Sequence, residues 1–421
     1  MKEVLKWFNP NIKMKRWLIC IFIGAIVFAY AISNLIIQTE LTLISLLITA
    51  ILFVIGGSLI VIAFIFAQSK TMQVITGVNT LSENLSQEEL EKIFRDKTLY
   101  ERNPKICIIG TGLGLDATIK SVKKYSNNIS VITPFYENDI RDSLINLATN
   151  KQVIKKLFED NYLFSQIEYF KKVYGDYELG ISNLCNILNL NGSIIPVSYD
   201  SMEYKVILSD GIELSSQTDE IAKINMQRGT KISKLFLNQE VNITQTSLNA
   251  IKKADLIIFA PCSLYSELIP ILKIDNLVKT LKKAKAKKVY INNIMTVSGE
   301  TTFYDLYDHI NAINEICETE FIDYIIVDKG NIAYKKRVDE YNKTSSEPVE
   351  YNKEKFKGSK IRVIRKDLAI SNRDNDLVYD YDKLSDIIGN ILINNIDGNK
   401  SKLTKRAIIA KIKNLINKFR K

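Results

Sequence analysis

Three glycines, Gly110, Gly112 and Gly114, stand in the stretch Ile109-Gly110-Thr111-Gly112-Leu113-Gly114-Leu115, after the apolar run Ile106–Ile109 and before a helix-like segment from Asp116 to Tyr125. An apolar strand, a glycine turn and an amphipathic helix together present main-chain N–H groups and a helix N-terminus to a phosphate. Any βα unit also carries glycines in its first turn, so this stretch alone leaves a purely structural turn open.

Three further stretches carry chemistry. Asn138-Asp139-Ile140-Arg141 follows the second apolar run, where Asp139 suits a ribose or metal contact and Arg141 a phosphate. Asp142 reads as an acid complementing a helix dipole. Ala260-Pro261-Cys262-Ser263-Leu264-Tyr265 has the order of a second strand-to-helix phosphate turn, with Ser263 as hydroxyl donor. Cys262 is read as a small apolar filler rather than a nucleophile, because no histidine adjoins it. Asn293, Thr296 and Glu300 follow another apolar run and suit recognition of a base or sugar edge. His309, the one histidine, is read as a structural hydrogen-bonding residue.

These groups need elements to hold them. Apolar runs at Ile106–Ile109, Ile129–Ile132, Ile194–Val197, Leu256–Phe259, Val289–Asn292, Tyr324–Val327 and Ile361–Ile364 alternate with helical patterns. That alternation predicts a three-layer, Rossmann-like α/β fold with a mostly parallel sheet. Lys205–Leu208, Ser209-Asp210-Gly211 and Ile212–Leu214 predict a hairpin, which Lys231–Leu237 would extend into a small antiparallel insertion.

The 421 residues carry a net charge of +10, 46% hydrophobic and 25% charged residues. Much of the positive charge lies after Asp397, where Lys and Arg recur without an acid. The near-neutral remainder argues against a nucleic-acid groove. Five scattered cysteines without metal-ligand spacing read as reduced thiols. Near the start, Trp17–Ile37 and Leu41–Ala67 are apolar runs separated by Gln38-Thr39-Glu40. They predict a two-helix transmembrane hairpin in residues 1–70, and flanking cations predict a multi-pass protein of the cell membrane with both termini and the main domain cytoplasmic. Residues 71–104 are expected to be a linker and 105–396 the α/β domain. Residues 397–421 read either as a basic amphipathic tail on anionic lipid or as an exposed terminal helix or coil.

The glycine turn, Asn138–Arg141, Ala260–Tyr265, and Asn293 through Thr301 with Asp308-His309 together resemble the YvcK-like gluconeogenesis-factor family, within the 2-phospho-L-lactate transferase (CofD)-like superfamily. The resemblance runs from about Pro104 to about Asn394 in unbroken order. It implies a homodimer and a site for a nucleotide sugar such as UDP-N-acetylglucosamine, in a regulatory protein linked to carbon metabolism, cell shape and peptidoglycan synthesis. The implied binding set is Gly110, Thr111, Gly112, Gly114, Leu115, Asp139, Arg141, Ser263, Leu264, Asn293, Thr296, Glu300 and Tyr341. The transferase branch implies instead a phospho-group transfer from a nucleoside-diphosphate-activated donor, with magnesium. This chain departs from the family at its acidic Asp-Asp-Gly-Gly-Ser-Ser-Gly loop, since Ile132–Tyr136 runs almost directly into Asn138-Asp139. Gly-Pro-Gly-Ser has become Ala260-Pro261-Cys262-Ser263. A divergent binding or regulatory protein, with no catalytic residue and no certain cofactor, is the reading these departures favour.

Overall fold

The computed structural model describes residues 14–37, 45, 48–61, 87–148, 163–215, 218–330, 335–372 and 376–397. It divides into two compact units, Met1–Leu90 and Glu91–Lys421.

In the first unit, helix α1 (Met14–Ile37) packs antiparallel to a helical segment at residues 48–61. Glycine permits the close approach: a Cβ on Gly24 would come within 3.1 Å of the Gly56 carbonyl oxygen. The Phe28 and Phe53 rings meet at 4.1 Å. The expected membrane hairpin is corrected here. Among the described residues no helix is long and apolar enough to cross a membrane. The expected multi-pass membrane location is therefore not supported. Residues 71–86 of the expected linker and the expected tail from residue 398 lie outside the described residues.

The second unit is built on seven strands: β1 (Ile106–Ile109), β2 (Ile129–Thr133), β3 (Ser193–Pro196), β7 (Leu256–Phe259), β8 (Lys287–Ile291), β9 (Tyr324–Asp328) and β10 (Arg362–Lys366). They lie in the order β10-β9-β8-β7-β1-β2-β3, and every pairing is parallel. All seven strand-like runs of the sequence enter this sheet. Side chains alternate across it because successive strand residues face opposite ways. Cys107 and Ile109 join one core with Ile257 and Phe259, while Ile106 and Ile108 join the other with Leu256 and Ile258.

Helices cover both faces. α3 (Gly112–Lys123) and α4 (Glu137–Leu147) bury Leu115, Ile119, Val122, Ile140 and Leu144 in the second core, which the closing helix α13 (Tyr381–Asp397) shares through Leu384, Ile388 and Leu392. Helix α2 (Gln87–Arg102) brings fully buried Leu99 into the same core. Lys92 and Arg95 of α2 both pair with Asp386 of α13, at 2.7 and 2.9 Å. Most of α2 thus belongs to the α/β body.

The expected insertion is present. Strands β4 (Tyr204–Leu208), β5 (Glu213–Leu214) and β6 (Ile232–Leu237) form an antiparallel sheet ordered β5-β4-β6. Gly211, at φ +88°, makes the turn. A second small pair, β11 (Ala369–Ser371) with β12 (Leu377–Tyr379), was not foreseen.

Candidate functional site

The chain runs outward from β1 to β3 on one side of the sheet, then returns to start β7 on the other. The carboxyl ends of β1 and β7 are therefore a topological switch point, where open α/β sheets bind their ligands. Two of the four stretches singled out by their chemistry meet directly there.

After β1, Gly110 (φ +151°) lies so close to β7 that a Cβ would come within 3.0 Å of the Ala260 Cβ. Gly114 seats the two turns against each other, since a Cβ there would lie 2.0 Å from the Pro261 carbonyl oxygen. Gly112 (φ +66°) is exposed and opens α3. No side chain caps α3 and no acid stands in its first turn. Thr111 occupies the cap position, yet its buried Oγ1 makes no hydrogen bond among the described residues.

The turn after β7 is filled from within. Ser263 N–H donates to Glu267 Oε2 at 2.6 Å. The N–H groups of Tyr265 and Ser266 donate to Glu300 Oε2 at 3.2 and 3.3 Å. Asn293 Nδ2 donates to the Cys262 carbonyl at 2.9 Å, fastening the loop after β8 to this turn.

The electrostatics are acidic. Burial, then the charges of Glu267 and Asp142, push the Asp139 carboxyl up to about 7. Burial also raises Glu300, against the N–H bonds it accepts. Burial and the neighbouring Glu267 push the Cys262 thiol well above the ordinary thiol range, so a nucleophilic thiolate is disfavoured. Among the described residues no group of three or more His, Cys, Asp or Glu side chains is placed to hold a metal ion. The magnesium implied by the transferase resemblance thus has no three-ligand set there.

The switch point gathers Gly110, Thr111, Gly112, Gly114, Ser263, Asn293 and Glu300, with Asp139 within electrostatic reach of Glu267. The remaining expected residues make these contacts in the structure. Leu115 and Leu264 are core side chains. Arg141 Nη2 donates to Asn138 of its own helix at 2.8 Å. Thr296 pairs with the Glu347 backbone. The Tyr341 carbonyl accepts from the Thr344 and Ser346 N–H groups. Buried His309 donates from Nδ1 to the Asp305 carbonyl at 2.8 Å, a structural role as expected.

Sequence reasoning missed Glu267, a lone acid inside an apolar helical run. It also missed Thr133, and within the stretch Asn292–Thr301 it chose Asn293 rather than Asn292 as the site residue; the buried Thr133 Oγ1 and Asn292 Oδ1 make no hydrogen bond among the described residues. Their signal was legible: a polar residue at the end of an apolar strand run, on the edge that binds ligands.

Fold and site together define a CofD-like α/β protein, and comparison with known proteins agrees. The family model of 2-phospho-L-lactate transferase CofD matches residues 106–369. The chain belongs to this family, on the gluconeogenesis-factor side of it. A relative from Thermoanaerobacterium thermosulfurigenes is 30% identical over 321 residues, 70% of this chain and 98% of its own. The gluconeogenesis factor of Bacillus subtilis is 26% identical, covering 69% of this chain and 99% of that protein. A crystal structure of a UPF0052 family member from Bacillus halodurans superimposes with a TM-score of 0.60 at 26% identity, covering 68% of this chain and 99% of that one.

Proposed function

We propose that this chain is a ligand-reading regulatory protein of the gluconeogenesis-factor type. Its ligand is a nucleotide sugar of the UDP-N-acetylglucosamine kind, and its output concerns carbon metabolism and cell-wall synthesis. One observation carries the reading: α3 begins with an uncapped, acid-free turn at the switch point, behind a glycine with positive φ. Such a helix end offers oriented N–H groups and the positive pole of the helix dipole to a diphosphate. Orphaned oxygens of Thr111, Thr133 and Asn292 along the same edge supply hydrogen-bonding groups for a polar ligand.

Calorimetric titration of the full chain with UDP-N-acetylglucosamine tests this. Saturable heat with a matching rise in melting temperature is expected. Neither signal at millimolar ligand would overturn the proposal.

A second reading, transfer from a nucleoside-diphosphate-activated donor, draws on Asp139. A carboxyl with a pKa of about 7 is suited to accept a proton near neutral pH. Magnesium-dependent release of nucleotide from such a donor would select this reading over simple binding.

A further inference from the structure

The carboxylate of Glu267 is bonded to one turn of the switch point and lies beside the other. Its Oε2 accepts from Ser263 N–H at 2.6 Å, on the β7 side. Its Oε1 lies 3.8 Å from the position a Cβ on Gly112 would take, on the β1 side. A negative group accepting a short main-chain N–H bond, between a glycine turn and a second strand-to-helix turn, is the placement a bound phosphate would adopt. We propose that Glu267 is an internal occupant of the diphosphate seat, which a nucleotide must displace in order to bind. This inference rests on the nucleotide-sugar reading above and specifies how that site is regulated.

The surroundings make displacement costly for an anion. Asp139 senses the charge of Glu267, and Cys262 senses Glu267, Glu300 and Asp139 together. Glu267 and Glu300 both accept main-chain N–H groups around the turn after β7, while Arg141 is bonded to Asn138 on its own helix. Like charges in a partly desolvated site repel strongly. A diphosphate therefore meets both competition for the Ser263 N–H and repulsion from the displaced carboxylate. A ligand part without charge, such as a nucleoside, meets neither.

The test compares UDP with uridine on the full chain by calorimetry, for the unaltered protein, Glu267→Gln and Glu267→Ser. Glutamine keeps an acceptor for Ser263 N–H and loses the charge, whereas serine vacates the seat. Circular dichroism melts establish that each variant folds. UDP affinity is expected to rise about tenfold with serine, a gain of the size one removed charge contact gives, and by less with glutamine. Uridine affinity should stay the same throughout. If UDP binds all three proteins equally, Glu267 is no occupant, and the nucleotide reading stands without it. If UDP and uridine bind none of them, both proposals fall. Equal gains for UDP and uridine would make the effect steric and would also overturn the charge-based account.

Discussion

The two strand-to-helix turns at the switch point have the same topology and opposite states. The turn after β1 leads into a twelve-residue helix with no side-chain cap and no acid in its first turn. The turn after β7 leads into a wide π-helical turn, Leu264–Leu268; Glu267 takes the N–H of Ser263 just before it, and Glu300 takes those of Tyr265 and Ser266. Main-chain geometry alone does not make an anion site; what matters is whether the protein's own carboxylates have already claimed the donors. In this chain the helix after β1 starts without a side-chain cap, while carboxylates hold the N–H groups of the turn after β7.

Substitutions can break or sharpen that contrast. The largest effect is expected at Gly114, where any Cβ would collide with the Pro261 carbonyl. Gly114→Ala should cost about 3 kcal/mol in a denaturant melt, through overpacking in a seam with no room to yield. Stability within experimental error of the unaltered chain would mean that the turns are not wedged together. Next comes Gly112→Arg. Here the space is open, and the backbone cost of a positive φ is only about 1 kcal/mol, so the fold should survive. Binding of UDP-N-acetylglucosamine should fall by at least about tenfold, because the side chain covers the α3 N-terminus. Undiminished affinity would move the diphosphate elsewhere.

A smaller effect is expected from Asp139→Asn. The Asp139 carboxyl is raised from an unfolded value near 4 to about 7. Between those values the native state holds a proton that the unfolded chain has released, so stability falls as pH rises through this window. The asparagine variant should therefore melt higher than the unaltered chain at pH 8 and equally at pH 3. A difference that does not change with pH would assign the effect to packing. The smallest effect concerns His309, remote in role from either turn. Burial lowers its pKa, so it contributes stability that is lost as pH falls below about 6.5. His309→Gln should flatten that acid limb slightly and leave ligand affinity unchanged. Altered affinity would tie His309 to the crevice after all.

The sheet was largely legible in the sequence because each of its strands is buried on both faces and reads as an uninterrupted apolar run. Ile106–Ile109 and Leu256–Phe259 were located to the residue. The hairpin was legible through Asp210-Gly211, whose turn conformation has a residue signature. Strands β11 and β12, three residues each, are too short to show a period. The membrane expectation rested on the length and apolarity of two sequence runs, whereas among the described residues no helix is long and apolar enough to cross a membrane.

At the site, glycines and polar residues after strands pointed to the carboxyl edge of the sheet, where the structure gathers several of them. They did not reveal which side chains face it. Leu115 and Leu264 sit beside the key residues in sequence, but helix geometry turns them into the core. Arg141 bonds instead to the amide three residues before it. Glu267 was invisible for the converse reason: its importance comes from a hydrogen bond back to Ser263, four residues earlier, and from a turn 155 positions away in the chain, at Gly112.

The antiparallel insertion is tied to the crevice most tightly at Gly299. Gly299 presses on helix α7 (Thr218–Arg228) so tightly that a Cβ would lie 2.1 Å from the Ala222 carbonyl oxygen, and Asn225 donates to the Gly299 carbonyl at 2.6 Å. The next residue is Glu300. The insertion is consequently no interchangeable cassette: a chimera that grafts a foreign lobe between β3 and β7 without a matching Ala222 and Asn225 would shift the carboxylate that holds the Tyr265 and Ser266 amides. Divergence in the lobe and divergence in ligand preference should therefore travel together.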